Sequence, residues 1–231
     1  MNTCKTNARI SGVLFMTATG AAIVSGFFLL PILQASDYLI EISENEIQVA
    51  LGAFFYFIVA AAGAGIAIPM YPILKQHNEG MALGAVGFRI IEGALYMVGV
   101  MCVLALVLLS QEFVDVVAPA DPYFQTLGEL LLARQDLAQA LVSRVFAFSL
   151  GALMYQFIFF QSKLIPRWLS LWGLIGSTLV FVSGLVTIFG GSALSPISDL
   201  LNLPNFVSEM VLAVWLIVKG FNSSTIISKS V

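Results

Sequence analysis

MALGAVGFRIIEGALYMVGVMCVLALVLL, Met81–Leu109, decides the fold. Its 29 residues are almost all apolar and enclose two charges, Arg89 and Glu92. A membrane crossing takes about 20 apolar residues at ~1.5 Å of rise each, so the run reads as a transmembrane helix. Each charge inside it costs roughly 2.5–3.5 kcal/mol on insertion scales. The remaining spans must therefore form a bundle that shelters both. The composition agrees: the chain is 59% hydrophobic and 10% charged, whereas soluble domains carry about 25% charged residues.

On the N-terminal side, KQHNEG (Lys75–Gly80) is a polar turn, and before it a span occupies about residues 44–74. Ser43 and Glu46 have the spacing of a capping box, with Ile42 and Ile47 at the positions of a hydrophobic staple. Pro69 and Pro72 should kink or end this helix. AAAGAG (Ala60–Gly65) gives it a thin waist on which a neighbour can pack. The first span covers about 10–33 and ends near Pro31. At some 24 residues it is too long for the 7–15-residue apolar region of a signal peptide, so we expect it to be retained. Gly80 and Gly84 form a G-x-x-x-G pair, a weak signal of close helix packing.

On the C-terminal side, Ser110–Leu137 is the longest polar connection. Asp121 followed by Pro122 reads as a helix start, and Phe124, Leu127, Leu130 and Leu131 share a face, so a short amphipathic surface helix is expected there. Further spans follow at about 138–162, 169–190 and 204–220, the last being short and stopping at Gly220. The spacing thus predicts an all-α fold: one integral membrane domain, a six-helix transmembrane bundle with a surface helix in the outer loop between spans three and four.

The charges orient it. With both termini cytoplasmic, the inner segments hold Lys5, Arg9, Lys75, Lys163, Arg167, Lys219 and Lys229, seven of the ten bases. The outer loops hold Arg134 alone, as the positive-inside rule requires. The expected location is the inner membrane.

Four charges lie at apparent membrane depth: Arg89, Glu92, Arg144 and Glu209. Arg89 and Glu92 are three apart and share a helix face, at ~12 and ~16 Å from the inner end of their span. Arg144 and Glu209 are each expected within roughly 10 Å of an outer helix end. Ionisable residues inside a membrane presume function. In that reading Arg144 binds an anionic group, Glu92 is a proton acceptor or polar anchor, and the cluster with Tyr96 and Tyr155 forms a ligand pocket. The alternative is structural: an Arg89–Glu92 salt bridge and an Arg144–Glu209 clamp between helices. Cys4 and Cys102 are placed too differently to pair, His77 has no companions, and no phosphate-loop, zinc-protease or serine-hydrolase motif is present. No metal, cofactor or nucleic-acid partner is implied. The bilayer is the expected partner, with a lipid or small molecule as ligand, and the sequence does not specify an oligomeric state.

Four segments carry a family resemblance: ARISGVLFM (Ala8–Met16), FRIIEGALY (Phe88–Tyr96), KLIPRWLSLWG (Lys163–Gly173) and LPNFVSEMVLAVWLIVKG (Leu203–Gly220). In order and spacing the chain resembles the bacterial membrane family filed as domain of unknown function 4386. The resemblance implies a multi-span inner-membrane protein with Arg89, Glu92 and Glu209 at motif positions, and it assigns no activity. The first functional expectation is ligand binding at the polar cluster, transporter-like or sensory. A structural or partner-binding subunit is the alternative. An intramembrane enzyme using Glu92 as acid/base ranks lower, because no second catalytic group accompanies it.

Overall fold

The computed structural model describes residues 2–115, 122–136, 146–189 and 196–222, and these are helical nearly throughout. In chain order the helices are α1 (Asn2–Leu33), α2 (Tyr38–Glu44), α3 (Glu46–Gly65), α4 (Ala67–Leu74), α5 (Glu79–Asp115), α6 (Pro122–Asp136), α7 (Ser149–Ser162), α8 (Arg167–Ile188) and α9 (Pro196–Val218). Five segments are long and apolar enough to cross a membrane: Thr3–Leu33, Glu46–Leu74, Glu79–Asp115, Arg167–Thr187 and Leu200–Val218. Phe146–Ser162 is a shorter apolar helix. It is the described part of the span expected at 138–162, and Arg144 lies outside the described residues.

The long helices close into a ring. α1 packs on α3, α3 on α5, α5 on α7, α7 on α8 and α8 on α9, and α9 returns to α1. Small residues set the close approaches. A Cβ on Gly12 would lie 2.7 Å from the Ala213 carbonyl oxygen, which brings α1 against α9. The thin waist at Ala60–Gly65 receives Gly93 of α5, where a Cβ would lie 2.8 Å from the Ala60 carbonyl oxygen. Of the G-x-x-x-G pair, Gly84 accommodates the Met154 side chain of α7, whereas a Cβ on Gly80 would meet only the Asn78 side chain of the preceding turn.

The outer wall is apolar, and several polar side chains are buried beside the apolar cores. Ser11, Ser25, Ser149, Ser177 and Asn205 are buried, while Phe27, Ile47, Met101, Leu108 and Val218 stand more than half exposed on the outer wall. So wide an apolar exterior suits a lipid surround. One end of the bundle collects Ala8, Leu74, Leu164 and Phe221 in a single core, and Arg9, Lys75, Lys163 and Lys219 lie within two residues of these in the chain. At the opposite, acidic end α6 covers Leu106, Leu109 and Phe113 with Phe124, Leu127 and Leu131. Leu130, expected on the same face, is 52% exposed.

Several boundaries differ from the sequence reading. The capping box does not form, because Tyr38–Glu44 is already helical. Ser43 therefore sits in the last turn of α2, and its hydroxyl donates to the Ile40 carbonyl (2.8 Å). Glu46 accepts from Gln111 Nε2 (2.8 Å) instead. Ile42 is buried and Ile47 is 80% exposed, so the staple is absent too. The break expected from the prolines falls at Ile66, just upstream. Pro69 has no N–H for the Gly65 carbonyl, so the ladder is interrupted there. The Ser11 hydroxyl braces the break by donating to the Ile66 carbonyl (3.1 Å). Finally, Pro204 does not begin the last span. α9 starts at Pro196 and carries Pro204 inside it, giving 23 residues, or ~35 Å. The helix ends at Val218, and Gly220 follows with a φ of 73° that favours glycine.

Candidate functional site

The ring joins four of the expected residues in one hydrogen-bonded cluster. Arg89 on α5 donates from Nη1 to Glu92 Oε2 at 2.9 Å, one helical turn along. Its Nη2 donates to Glu209 Oε1 on α9 at 3.1 Å and to the Tyr155 hydroxyl on α7 at 3.0 Å. Tyr155 in turn donates to Glu209 Oε1 at 3.3 Å. One guanidinium thus joins three helices that are far apart in sequence. Rise along each helix explains the meeting. Arg89 lies ~15 Å from the start of α5, and Glu209 ~14 Å from the end of α9 at the same side of the bundle. Glu209 was expected near an outer helix end. Because α9 begins eight residues earlier than Pro204, it lies instead in the middle of its helix.

Aromatic rings wall the guanidinium. Phe148 lies 4.8 Å from it, Phe15 and Tyr155 each 5.6 Å. The ring faces attract the cation where water is excluded. Phe148 closes a π-helical turn at 146–148 that leads into α7, a local widening that often shapes functional sites. Arg89 is 2% exposed and Glu92 4%, and burial of charge on this scale is tolerated only with pairing.

Beside the cluster is a cavity of about 500 Å³. Arg89, Glu92, Glu209, Asn202 and Asn205 give it a polar side, and Phe15, Tyr96 and Phe148 an apolar one. Gly63 also lines it, and a Cβ there would meet nothing within 4 Å. Ile23, Leu203 and Phe206 line the cavity and are also 62%, 55% and 45% exposed. The mouth therefore lies between α1 and α9 on the side of the bundle, away from the tight Gly12–Ala213 contact. Two polar atoms of the cavity's lining residues are buried without a hydrogen-bond partner: Asn202 Oδ1 and Arg89 Nε. One oxygen of each carboxylate, Glu92 Oε1 and Glu209 Oε2, is not used by the bonds above.

Of the residues expected at a ligand site, Glu92, Arg89, Glu209, Tyr96 and Tyr155 gather here. Tyr96 stands edge-on to Tyr56 (5.4 Å between ring centroids). Glu209 pairs with Arg89; Arg144, the other half of the clamp expected from sequence, lies outside the described residues. Sequence reasoning missed Asn202 because it placed that residue in a loop, and Asn205 because nothing set it apart within the span expected at 204–220. The signal available was Pro196, a residue well suited to the first turn of a helix. Among the described residues, no group of three His, Cys, Asp or Glu side chains is placed to hold a metal ion.

Tyr155→Phe keeps the ring against Phe15 and Phe159 and removes only the hydroxyl. Hydrogen bonds to charged groups contribute roughly 1.5–3 kcal/mol. We expect the variant to lose about 1–3 kcal/mol of unfolding free energy in detergent. A loss below ~0.5 kcal/mol would show that the hydroxyl bridges nothing.

An all-helical ring with an apolar outer wall and a charged, sheltered interior is a polytopic membrane protein. The chain belongs to the family described as Domain of unknown function (DUF4386), whose model matches residues 10–220. No curated protein and no solved structure matches the chain.

Proposed function

We propose that this is an inner-membrane protein of six crossings with both termini in the cytoplasm. It binds an amphiphilic molecule, a lipid or a small apolar compound, in the cavity beside Arg89. The segment at about 138–162 supplies the sixth crossing, and α6 lies over the outer end. The observation that carries the reading is the cavity itself. It joins an apolar wall to a polar cluster at mid-bundle depth and opens sideways, toward where lipid tails would lie. A molecule dissolved in the membrane enters such a mouth without crossing water.

Charge selects the head of the ligand. Among the described residues the cluster carries one guanidinium against two carboxylates, and both terminal nitrogens of the guanidinium are occupied by its own partners, leaving Nε as its one unused donor. What is left over is mostly acceptor: Glu92 Oε1, Glu209 Oε2 and Asn202 Oδ1. A head that donates hydrogen bonds, an amine above all, fits this set better than the anion expected from sequence.

Two variants test the reading. Gly63→Leu should fill the cavity without loss of stability, since the site is open and glycine costs a helix about 1 kcal/mol relative to better formers. Glu92→Gln should weaken binding about tenfold while Arg89 keeps Glu209. The probe is the rise in melting temperature given by a long-chain primary amine, compared with a fatty acid of equal length. The amine should stabilise the wild type and neither variant. Equal stabilisation of all three proteins, or of the wild type by both probes, would overturn the proposal.

A further inference from the structure

We infer that the basic end of the bundle holds a second site, for an acidic phospholipid. Its headgroup lies among Lys163, Arg167 and Lys219, and one acyl chain lies along α9. This inference uses the membrane setting only and does not depend on the cavity beside Arg89.

A cleft of about 500 Å³ lies between the turn after α7 and the end of α9. Lys163 and Arg167 line one wall, Lys219 the other, and no acidic side chain faces it. Among the described residues ion pairs are made by Arg89 alone, so these three cations are uncompensated. The walls are fixed rather than loose. The Asn222 N–H donates to the Leu164 carbonyl (2.8 Å), tying the end of α9 to the turn. Arg167 lies 5.8 Å from the Phe160 ring. Lys163 takes a φ of 58°, the only positive value at a described non-glycine residue. That conformation suits glycine or asparagine better than lysine, so a lysine held there keeps its charge at the cleft against its backbone preference.

Adjoining the cleft is an apolar groove of about 420 Å³ along α9, lined by Met210, Val211, Val214, Trp215, Val218 and Lys219. Trp215 and Lys219 belong to both. The groove runs from Met210 to Lys219, ~14 Å at ~1.5 Å of rise per residue, which is acyl-chain scale. Trp168 and Trp215 beside the bases are the interfacial residues expected at headgroup level. Free phosphate would use the bases and leave the groove empty. A phospholipid uses both, and basic pockets between spans on the cytoplasmic side suit acidic headgroups.

The test titrates the full-length protein in detergent with phosphatidylglycerol and with phosphatidylcholine of the same chains. Bound lipid is counted by native mass spectrometry at about 0.15 M salt. Phosphatidylglycerol should bind at least tenfold more tightly. Lys163→Asn, Arg167→Gln and Lys219→Gln should each weaken it about fivefold, corresponding to the ~1 kcal/mol that a base near anionic lipid contributes. Val214→Trp, which fills the groove, should weaken lipid binding and leave binding of inorganic phosphate unchanged. Gly63→Leu should not affect this lipid. Three outcomes overturn the inference: equal retention of both lipids, a preference for phosphatidylglycerol that survives all three single neutralisations, or full displacement of the lipid by millimolar inorganic phosphate.

Discussion

Arg89→Gln is expected to lower the unfolding free energy by about 3–5 kcal/mol, the loss typical when one partner of a buried ion pair is removed. The geometry explains why. Arg89 is the cation facing both Glu92 (2.9 Å) and Glu209 (3.1 Å). Without it, two carboxylates are left within one low-dielectric pocket with no cation between them. Glutamine reaches neither as a charge, and it cannot reproduce a planar donor fork that serves three acceptors at once. Reversal of the loss is the sharper part of the prediction. In the triple variant Arg89→Gln, Glu92→Gln, Glu209→Gln no charge is left unpaired, so most of the stability should return. Chemical denaturation in detergent measures both quantities. If Arg89→Gln costs less than ~1 kcal/mol, or if the triple variant is no more stable than the single, the three helices are not held through this guanidinium.

Much of this arrangement was legible from spacing alone. Arg89 and Glu92, three apart on a helix, were bound to share a face, and a hydrocarbon surround left them only an inward direction. The Ala60–Gly65 waist announced a close neighbour in the same way, because small residues are what let helix backbones approach in lipid. The partner of Arg89 was not legible. Which charge on another helix lies at its level depends on where each helix begins, and Pro204 looked like a beginning. A single proline costs a helix one hydrogen bond, which the turns from Pro196 onward tolerate, and the eight-residue shift moved Glu209 from the rim to the centre. The failed capping box at Ser43 has a related origin. Local signals for a helix start cannot register that the preceding residues, Tyr38–Glu44, are already helical against α5 and α6.

Gly93→Leu is expected to be the other severe substitution, at about 3 kcal/mol or more, and for a reason unconnected with charge. A Cβ at this position would lie 2.8 Å from both the Ala60 carbonyl oxygen and the Ala64 Cβ. The first of these is backbone, so no rotamer change relieves it, and α3 and α5 must separate. Overpacking usually costs 1–3 kcal/mol. Here the contact is one of the joints of the ring, and separating it also shifts Glu92, the residue before it, and Gly99 against Tyr56 one to two turns on. The effect should therefore reach the cavity. Gly93→Leu should lower the melting temperature and also abolish stabilisation by the long-chain amine, whereas Gly63→Leu should do only the second. The contrast separates two glycines 30 residues apart that sequence alone treats alike: one closes the bundle and the other keeps its cavity open. If Gly93→Leu melts with the wild type, the close approach of α3 and α5 is wrong, and with it the placement of Glu92 beside the cavity.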